Sequence, residues 1–238
     1  MRSTIIKGIF ITGTDTGVGK TVITGALTLL LNEAGIDAGV MKPVASGCTL
    51  IDGRIASEDA LFLKETSKIK DEIGLITPYA LKKPIAPMSA ANIEEVTIDF
   101  DKIGACYKRL AERHELVLVE GIGGLMVPLN KTQVVADLVK YLNLPLLIVA
   151  GSKLGAINHT LLTVRYAEVL GIEVIGIIVN HPERISNNIR LSNREEIEAF
   201  TNIPIWGEIP YCKEKKELLD TVKKNLKAYV TTSIKRLI

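Results

Sequence analysis

The sequence has few cysteines and few aromatic residues, and both shortages limit what kind of protein it encodes. Its three cysteines, Cys48, Cys106 and Cys212, are far apart and form no CxxC pair. Neither a disulfide framework nor a zinc site is therefore predicted. Phe, Trp and Tyr together make up 5% of the 238 residues, so the core must consist mainly of Ile, Leu, Val and Ala. A chain of this length can bury such a core without cross-links.

The chain also lacks an excess of charge and a long apolar run. Lys and Arg number 29 and Asp and Glu 27, for a formal net charge of +2, which gives no reason to expect nucleic acid or a membrane surface as the main partner. No run approaches the roughly 18 apolar residues of a membrane-spanning helix. The N-terminal apolar stretch is interrupted by Lys7 and leads into a glycine-rich motif. We therefore predict a cytoplasmic protein.

Short apolar runs alternate with helix-like segments along the chain. Strands are predicted at 8–12, 38–41, 116–120, 144–150, 172–180 and 203–209, and helices at 20–32, 99–113, 132–141, 156–170 and 192–201. The runs are nearly continuous, as in strands that are covered on both faces. This pattern predicts an α/β fold, a single domain over residues 1–238 with a doubly wound, mostly parallel sheet flanked by helices.

One long segment, residues 43–92, fits this alternation poorly. We predict a flexible loop at 47–57, a short helix at 57–66 and a proline-rich stretch at 77–87. Long irregular segments in compact domains are often functional. We interpret this segment as an insertion on the substrate side of the site.

The strongest motif is the glycine-rich segment GTDTGVGKT, which runs from Gly13 to Thr21. It follows a predicted strand and opens a predicted helix, which is the context of a phosphate-binding loop. Backbone N–H groups and the helix amino terminus favour an anion there, while Lys20 would contact phosphates and Thr21 would bind Mg²⁺. Thr14 stands where the general motif has its leading glycine. The alternative interpretation is a strand–helix turn with a chance Gly-Lys-Thr.

Two further strand ends carry charged residues that suit this chemistry. Glu120 ends a buried run and precedes Gly121-Ile-Gly-Gly, so it could hold Mg²⁺ directly or through water; an acidic strand end before a turn is the alternative. Lys42 follows the second predicted strand and could stabilise charge on a transferred phosphoryl group. A solvated lysine is equally compatible with that segment alone, and Ser46 could be a substrate contact or a turn residue.

Asp59 and Asn180 are weaker candidates when each is considered alone. Asp59 lies at the start of a predicted helix, where acidic residues are common because of the helix dipole. Asn180 ends a predicted strand, where it could contact an adenine edge or begin a turn. The three histidines show no metal-ligand spacing, and no Gly-x-Ser-x-Gly elbow is present.

Taken together, these segments resemble the dethiobiotin synthetase family, ATP-dependent carboxylases that close a ureido ring before biotin is formed. The matching segments are GTDTGVGKT, KPVASG, SEDA, LVEGIGG, KLGAINHTLLT, VN at 179–180 and GEIP at 207–210. They extend in order from residue 13 to residue 210. The glycine-rich loop of that family likewise has its leading glycine one position earlier than the general motif, as Gly13 stands here.

The resemblance implies a P-loop NTPase fold, a reaction and its partners. The implied enzyme is a C–N bond-forming cyclo-ligase of biotin biosynthesis. It converts 7,8-diaminononanoate and CO₂ to dethiobiotin with ATP as cosubstrate, via a carbamate and a mixed carbamic–phosphoric anhydride, and releases ADP and phosphate. Mg²⁺ is the implied cofactor. The implied assembly is a homodimer with the substrate site at its interface.

The resemblance also implies roles for individual residues. Lys20 and Lys42 are the implied catalytic residues, and Thr21, Asp59 and Glu120 the implied metal ligands. The implied ATP-binding residues are Gly17, Val18, Gly19, Lys20, Thr21, Val22, Asp59, Glu120, Gly121, Ile122, Gly123, Asn180, Ile209, Pro210 and Tyr211. The implied substrate-binding residues are Ser46, Leu154, Gly155, Ala156, Ile157 and Asn158. The chain departs from the family pattern at His181, where Asp is common, and at Tyr211, where Trp is usual.

Two other functions remain open at this level. A related P-loop amidoligase of the cobyrinic acid type would act on another acid and amine. A partitioning-type ATPase switch would bind a membrane or a protein, and such switches often carry an amphipathic helix. The basic, helix-like stretch at 213–238 is compatible with that second alternative.

Overall fold

The computed structural model describes residues 7–51, 53–184, 187–232 and 234. Its strands in chain order are β1 (Gly8–Gly13), β2 (Ala38–Met41), β3 (Val44–Ala45), β4 (Thr49–Ile51), β5 (Arg54–Ala56), β6 (Tyr79–Ala80), β7 (Leu116–Glu120), β8 (Leu146–Ala150), β9 (Val174–Asn180) and β10 (Ile205–Ile209). Its helices are α1 (Lys20–Glu33), α2 (Glu58–Ser67), α3 (Ile73–Ile76), α4 (Pro87–Ile93), α5 (Phe100–Ala111), α6 (Val135–Leu142), α7 (Ala156–Val169), α8 (Asn187–Phe200) and α9 (Lys215–Thr232).

The centre of the fold is a six-stranded sheet with the order β10-β9-β8-β1-β7-β2. All five strand pairs are parallel, which confirms the predicted doubly wound α/β sheet. Because these strands are parallel, the carboxyl ends of β1, β2, β7, β8 and β9 lie along one edge of the sheet. Ligands of such sheets bind at this edge, where the strand order reverses.

Both faces of the sheet are covered by helices, which explains why the strands are apolar at successive positions. In β1, Ile9 and Ile11 belong to the core beneath α1 and α9, whereas Phe10 between them belongs to the core beneath α5, α6 and α7. All three side chains are fully buried. Because neighbouring residues of a strand point to opposite faces, a strand with two covered faces has no alternating polar positions.

The insertion between β2 and α5 is more regular than the sequence predicts. The segment 47–57, predicted to be a flexible loop, contains the antiparallel hairpin of β4 and β5, so that prediction was wrong. The predicted helix at 57–66 is observed as α2, with the Ser57 hydroxyl accepting a hydrogen bond from the Ala60 N–H at 3.3 Å. Besides α2, the insertion contains α3, α4 and the pair formed by β3 and β6.

The C-terminal helix α9 packs on the sheet through its apolar side. Val222 and Leu226 are fully buried in the same core as α1, and the Trp206 ring stacks on Tyr229 with centroids 6.2 Å apart. These apolar side chains are thus used inside the fold, which weakens the interpretation of 213–238 as an amphipathic membrane helix; residues 233 and 235–238 lie outside the described residues. Among the helices that the structure describes, none is long and apolar enough to span a membrane.

Candidate active site

The glycine-rich loop connects β1 to α1 and is anchored by the segments beside it. The Gly13 N–H donates to the Gly123 carbonyl at 3.3 Å, and the Thr14 N–H donates to the Val149 carbonyl at 3.0 Å. The Thr14 hydroxyl accepts a hydrogen bond from the Gly151 N–H at 3.3 Å. Thr14, which stands where the general motif has its leading glycine, therefore ties the loop to β8 and to the residue that follows it. Sequence reasoning missed this role, because nothing in the sequence shows that β8 lies beside β1.

Two glycines of the loop have left-handed backbone conformations. The φ angles are 74° at Gly17 and 94° at Gly19, a region that residues with a Cβ avoid. At Gly19 a Cβ would also collide with the Asn180 side-chain amide. The Asn180 Nδ2 donates to the Val18 carbonyl at 2.7 Å, and both atoms of this hydrogen bond are buried. Asn180, at the end of β9, therefore holds the loop backbone in place.

Lys20 opens α1 and points back over the loop. Its ammonium donates to the Asp15 carbonyl at 3.1 Å, and the residue is 7% exposed. Burial is the main influence on its pKa and lowers it to about 8, against the opposing effect of Glu120. A partly desolvated ammonium at the start of a helix is a strong partner for a phosphate oxygen, because that oxygen would replace the lost solvation of the ammonium.

Two other sequence-predicted residues, Lys42 and Thr21, meet at one oxygen of the Glu120 carboxylate. The Glu120 Oε1 accepts a hydrogen bond from the Lys42 ammonium at 2.6 Å and from the Thr21 hydroxyl at 2.8 Å. The Lys42 ammonium also lies 2.9 Å from the Asp59 Oδ2. The strand ends of β7 and β2 and the starts of α1 and α2 are thereby joined, as the sheet topology requires of residues at this edge.

Burial controls the charges of this cluster. Glu120 is fully buried and Lys42 is 4% exposed, whereas the Asp59 side chain is 51% exposed. Burial alone would lower the pKa of Lys42, but the negative charges of Glu120 and Asp59 outweigh it and raise that pKa. Lys42 is therefore an ammonium at neutral pH. Since a buried carboxylate without a cation is very costly, Lys42 also stabilises the ionised Glu120.

The cluster suits a hard divalent cation. The second oxygen of Glu120, Oε2, is buried and finds no hydrogen-bond partner among the residues that the structure describes. It belongs to the same carboxylate that binds the Thr21 hydroxyl. Mg²⁺ typically takes one or two protein oxygens and completes its shell with water and phosphates, so it needs no larger set of protein ligands. Among the described residues, no group of three or more His, Cys, Asp or Glu side chains could hold a metal ion by itself.

The remaining sequence-predicted residues lie at the same edge but farther from the cluster. The ends of β9 and β10 are joined where the His181 N–H donates to the Ile209 carbonyl at 2.9 Å, which places residues 209–211 beside Asn180. Tyr211 is 38% exposed, and the Arg184 guanidinium lies 5.6 Å from its ring centroid. Ser46 is half-buried, after Lys42.

Residues 154–158 lead from β8 into α7. Gly155 caps the helix with φ 93°, Leu154 is fully exposed and Ala156 is buried. Among the described residues, no hydrogen bond or ion pair links this segment to Lys42 or Glu120. The segment thus follows the carboxyl end of β8 and is not part of the charged cluster.

The fold and the site define this chain as a P-loop nucleotide-binding protein. Two solved structures of that fold are similar over nearly the whole chain. The MinD cell division protein in the MinC:MinD complex of Aquifex aeolicus is 16% identical, covers 97% of this chain and 95% of its own, and has a TM-score of 0.58. A ParA family ATPase from Chlorobium tepidum is 15% identical, with coverage of 95% and 99% and a TM-score of 0.57. At these identities the likeness concerns the fold alone.

Sequence comparisons are more specific. A family model described as an AAA domain matches residues 7–217. An ATP-dependent dethiobiotin synthetase from Thermodesulfovibrio yellowstonii is 38% identical over 228 residues, 92% of this chain and 95% of the relative. Its counterpart from Bacillus licheniformis is 42% identical over 88% of each chain, and that from Methanococcus vannielii is 40% identical over 91% and 98%. The chain belongs to the ATP-dependent dethiobiotin synthetase family, which confirms the resemblance seen in its motifs.

Proposed function

We propose that this chain catalyses the ATP-dependent conversion of 7,8-diaminononanoate and CO₂ to dethiobiotin, with release of ADP and phosphate. Family membership supports the reaction. The observation that carries its chemistry is the convergence of Lys20, Thr21, Lys42, Asp59 and Glu120 at one edge of the sheet. Two ammonium groups beside a phosphate-binding loop suit a transferred phosphoryl group, on which negative charge accumulates.

The proposed reaction has three steps. One amine of the substrate adds to CO₂, loses a proton and becomes a carbamate. A carbamate oxygen then attacks the γ-phosphorus, the bond to the bridging oxygen of ATP breaks, and ADP leaves. The second amine attacks the carbonyl carbon of the resulting mixed anhydride, loses a proton and expels phosphate, which closes the ring. No protein nucleophile takes part, so the residues act by orienting reactants and stabilising charge.

Lys20 and Lys42 are the proposed catalytic residues. Lys20 would bind the β- and γ-phosphates from the loop. Lys42 lies across the site, on the strand end after β2, where its ammonium would stabilise the transferred group and the carbamate. Because Lys42 is already fixed by Glu120 and Asp59 at 2.6 Å and 2.9 Å, it needs little reorganisation during the reaction, as electrostatic catalysis requires.

Mg²⁺ is the proposed cofactor, and Thr21, Asp59 and Glu120 would hold it. The orphaned Glu120 Oε2 and the half-exposed Asp59 carboxylate support this assignment. When bound, Mg²⁺ neutralises charge on the phosphates. The protein's own contribution is to keep Glu120 ionised in a buried position, which Lys42 and the Thr21 hydroxyl accomplish.

The proposal also says which residues bind the nucleotide and the substrate, and how the chain assembles. The loop from Gly17 to Val22 and the segment 120–123 would bind the phosphates and the ribose of ATP. Asn180 and residues 209–211 would border its base. Ser46 and the start of α7 at 154–158 would bind the substrate, the latter attracting its carboxylate. The exposed Leu154 and Leu162 of that region support a homodimer. We also propose that the whole chain forms one domain and acts in the cytoplasm.

The function is tested by phosphate release from MgATP and bicarbonate, with and without 7,8-diaminononanoate, together with mass spectrometry of the product. We expect release that depends on the diamine, with dethiobiotin formed in equal amount. The variant Lys42→Met should abolish this release, whereas Lys140→Met, which removes an exposed lysine of α6, should not. Release without the diamine, or no dethiobiotin, would contradict the proposal and favour another amidoligase or an ATPase switch.

A further inference from the structure

A second charged cluster lies at the opposite, amino-terminal edge of the sheet and plays no part in the proposed chemistry. Its centre is His114, which follows α5. The ring Nδ1 lies 2.9 Å from the Asp37 Oδ1, just before β2, and the ring Nε2 lies 2.8 Å from the Asp71 Oδ2, just before α3. His114 therefore joins three separate segments of the chain through both of its ring nitrogens.

This geometry requires the charged form of the ring. A neutral imidazole has a single N–H, so one of its nitrogens would direct a lone pair at a carboxylate oxygen. Only the imidazolium can donate to both Asp37 and Asp71. The ring has a fixed place, because it lies against Gly39 of β2 so closely that a Cβ at that position would collide with it. Its side chain is 11% exposed.

The surrounding charges support the imidazolium. Asp71 is 5% exposed and also binds the Arg113 guanidinium at 2.7 Å. Burial opposes the charge, but the hydrogen bonds and charges of Asp71 and Asp37 raise the pKa of His114, and His114 and Arg113 in turn lower the pKa of Asp71. The other titratable groups around the cluster are Lys64, Lys68, Lys70 and Glu115, on α2, on the segment that follows α2 and just before β7.

The cluster is mechanically linked to the active site through the α2–α3 unit, residues 58–76. The Lys64 ammonium donates to the Asp71 carbonyl at 2.7 Å, which ties the middle of α2 to the cluster. At the other end of α2 stands Asp59, which contacts Lys42. The last residue of α3, Ile76, accepts a hydrogen bond from the Lys42 backbone N–H at 2.8 Å. The same short unit thus contacts His114 through Asp71, and contacts Lys42 through Asp59 and Ile76.

We propose that His114, as an imidazolium between Asp37 and Asp71, is a positioning residue that holds the α2–α3 unit so that Asp59 and Lys42 stand correctly for MgATP. Loss of its proton leaves one ring nitrogen with a lone pair that faces a carboxylate, so one of the two hydrogen bonds becomes a repulsive contact and the hold on the α2–α3 unit weakens. Because the folded protein holds the proton more tightly than the unfolded chain, the stabilisation is complete below the ordinary pKa of histidine and is lost as the pH rises through the raised pKa. The proposal rests on the proposed function for the nucleotide and for the roles of Asp59 and Lys42 in binding it.

The first test is nuclear magnetic resonance of the ring nitrogens of the three histidines. His114 is assigned by comparison with His114→Gln, and His159→Gln is the matched control, because His159 is exposed on α7. We expect both ring nitrogens of His114 to carry protons at pH about 7, above the ordinary histidine pKa of about 6.5, because each of them faces a carboxylate oxygen. A neutral ring at that pH would overturn the proposal.

The second test is the dissociation constant of MgATP by calorimetry, without the diamine, as a function of pH. We expect His114→Gln to bind at least about fivefold more weakly than the wild type at low pH, and the two constants to converge once His114 has titrated. His159→Gln should follow the wild type throughout. Dividing the two constants at each pH removes the contribution of Lys20, whose pKa of about 8 affects both proteins.

Two outcomes separate this role from a purely structural one. If His114→Gln melts earlier but its MgATP constant equals that of the wild type at every pH, the positioning role is refuted. If His114→Gln does not fold, Asp71→Asn serves instead, since an amide can donate to the neutral ring and should shift the titration of His114 to lower pH. Failure of the diamine reaction with intact pH-dependent binding would count against the proposed function and leave the role of His114 standing.

Discussion

Replacing Lys42 by methionine should destabilise the protein as well as inactivate it, because Lys42 is the cation that keeps Glu120 charged in the interior. Lys42 is 4% exposed and Glu120 fully buried, and their charged atoms are 2.6 Å apart. Removing one partner of such a pair typically costs about 3–5 kcal/mol, because the other charge stays buried and unpaired. Asp59 adds little to this cost, since half of its side chain is exposed to water.

The pairing can be separated from the size of either side chain by a double-mutant cycle. We expect Lys42→Met to lower the free energy of unfolding by about 3 kcal/mol, because it removes the ion pair of Glu120 while the hydrogen bond from Thr21 stays. Glu120→Gln should cost less, about 1–2 kcal/mol, because Asp59 still neutralises Lys42. The double variant should cost about 2 kcal/mol less than the sum of the two single variants.

The assay is urea denaturation followed by circular dichroism, with a chelator present so that no divalent cation compensates the loss. Lys140→Met is the control for removing an exposed lysine and should change stability by less than about 0.5 kcal/mol. If Lys42→Met also costs less than about 1 kcal/mol, or if the cycle shows no coupling, then the buried pair does not stabilise Glu120 and the argument from burial is wrong.

Three further predictions concern the loop and its charges. Gly19→Ala should lower MgATP affinity at least about 100-fold, because the φ of 94° and the Asn180 amide both exclude a Cβ at that position. The control is Gly35→Ala, with φ 83° and open space around it, which should cost about 1 kcal/mol of stability and leave the affinity unchanged. If Gly19→Ala and Gly35→Ala bound MgATP equally well, the steric argument would be refuted. Asn180→Asp should weaken MgATP binding about tenfold in equilibrium titrations, because an acceptor would face the Val18 carbonyl at 2.7 Å. In the His114→Gln background, where His114 contributes nothing, MgATP affinity should fall as the pH rises through about 8, because Lys20 loses its proton there. Between that pH and the ordinary lysine value the stability of the fold should rise with pH, because only the unfolded chain still holds this proton. Adding Lys20→Arg, which stays charged, should remove the decline in affinity, and a decline that persists would belong to another group.

The strands of the sheet could be predicted because each is covered on both faces and therefore consists of consecutive apolar residues. Their ends were less predictable, since they depend on contacts that the pattern does not show. The strand that was predicted to begin at residue 144 begins at Leu146 in the structure, so Leu144 and Pro145 lie before it. The hairpin of β4 and β5 was missed for a related reason. Leu50 is 70% exposed and, of the residues in β4 and β5, Ala56 alone is buried, so these short strands show no apolar alternation that would indicate them.

The functional site was predictable to the extent that it consists of strand ends. Lys42 and Glu120 follow predicted strands, and parallel strands bring such residues together without further information. Asp59 was a weak candidate on its own, because its position depends on how α2 packs on β2, where Ala60 and Leu63 contact Val40. The role of His114 was not predictable at all. Its two carboxylate partners lie 77 and 43 residues away, and no local pattern connects them.

The charged cluster around Glu120 joins separate parts of the fold, and under the proposed function the same residues also carry the chemistry. One oxygen of Glu120 holds Lys42, which follows β2, and Thr21 on α1, so three βα units meet at a single atom. A substitution that separates these units by a few tenths of an ångström weakens a buried ion pair and displaces the proposed metal ligands at the same time. Stability and activity should accordingly fall together around Glu120. They should separate only at Asp59, where exposure makes the ion pair weak in stability while its proposed role toward the metal is unchanged.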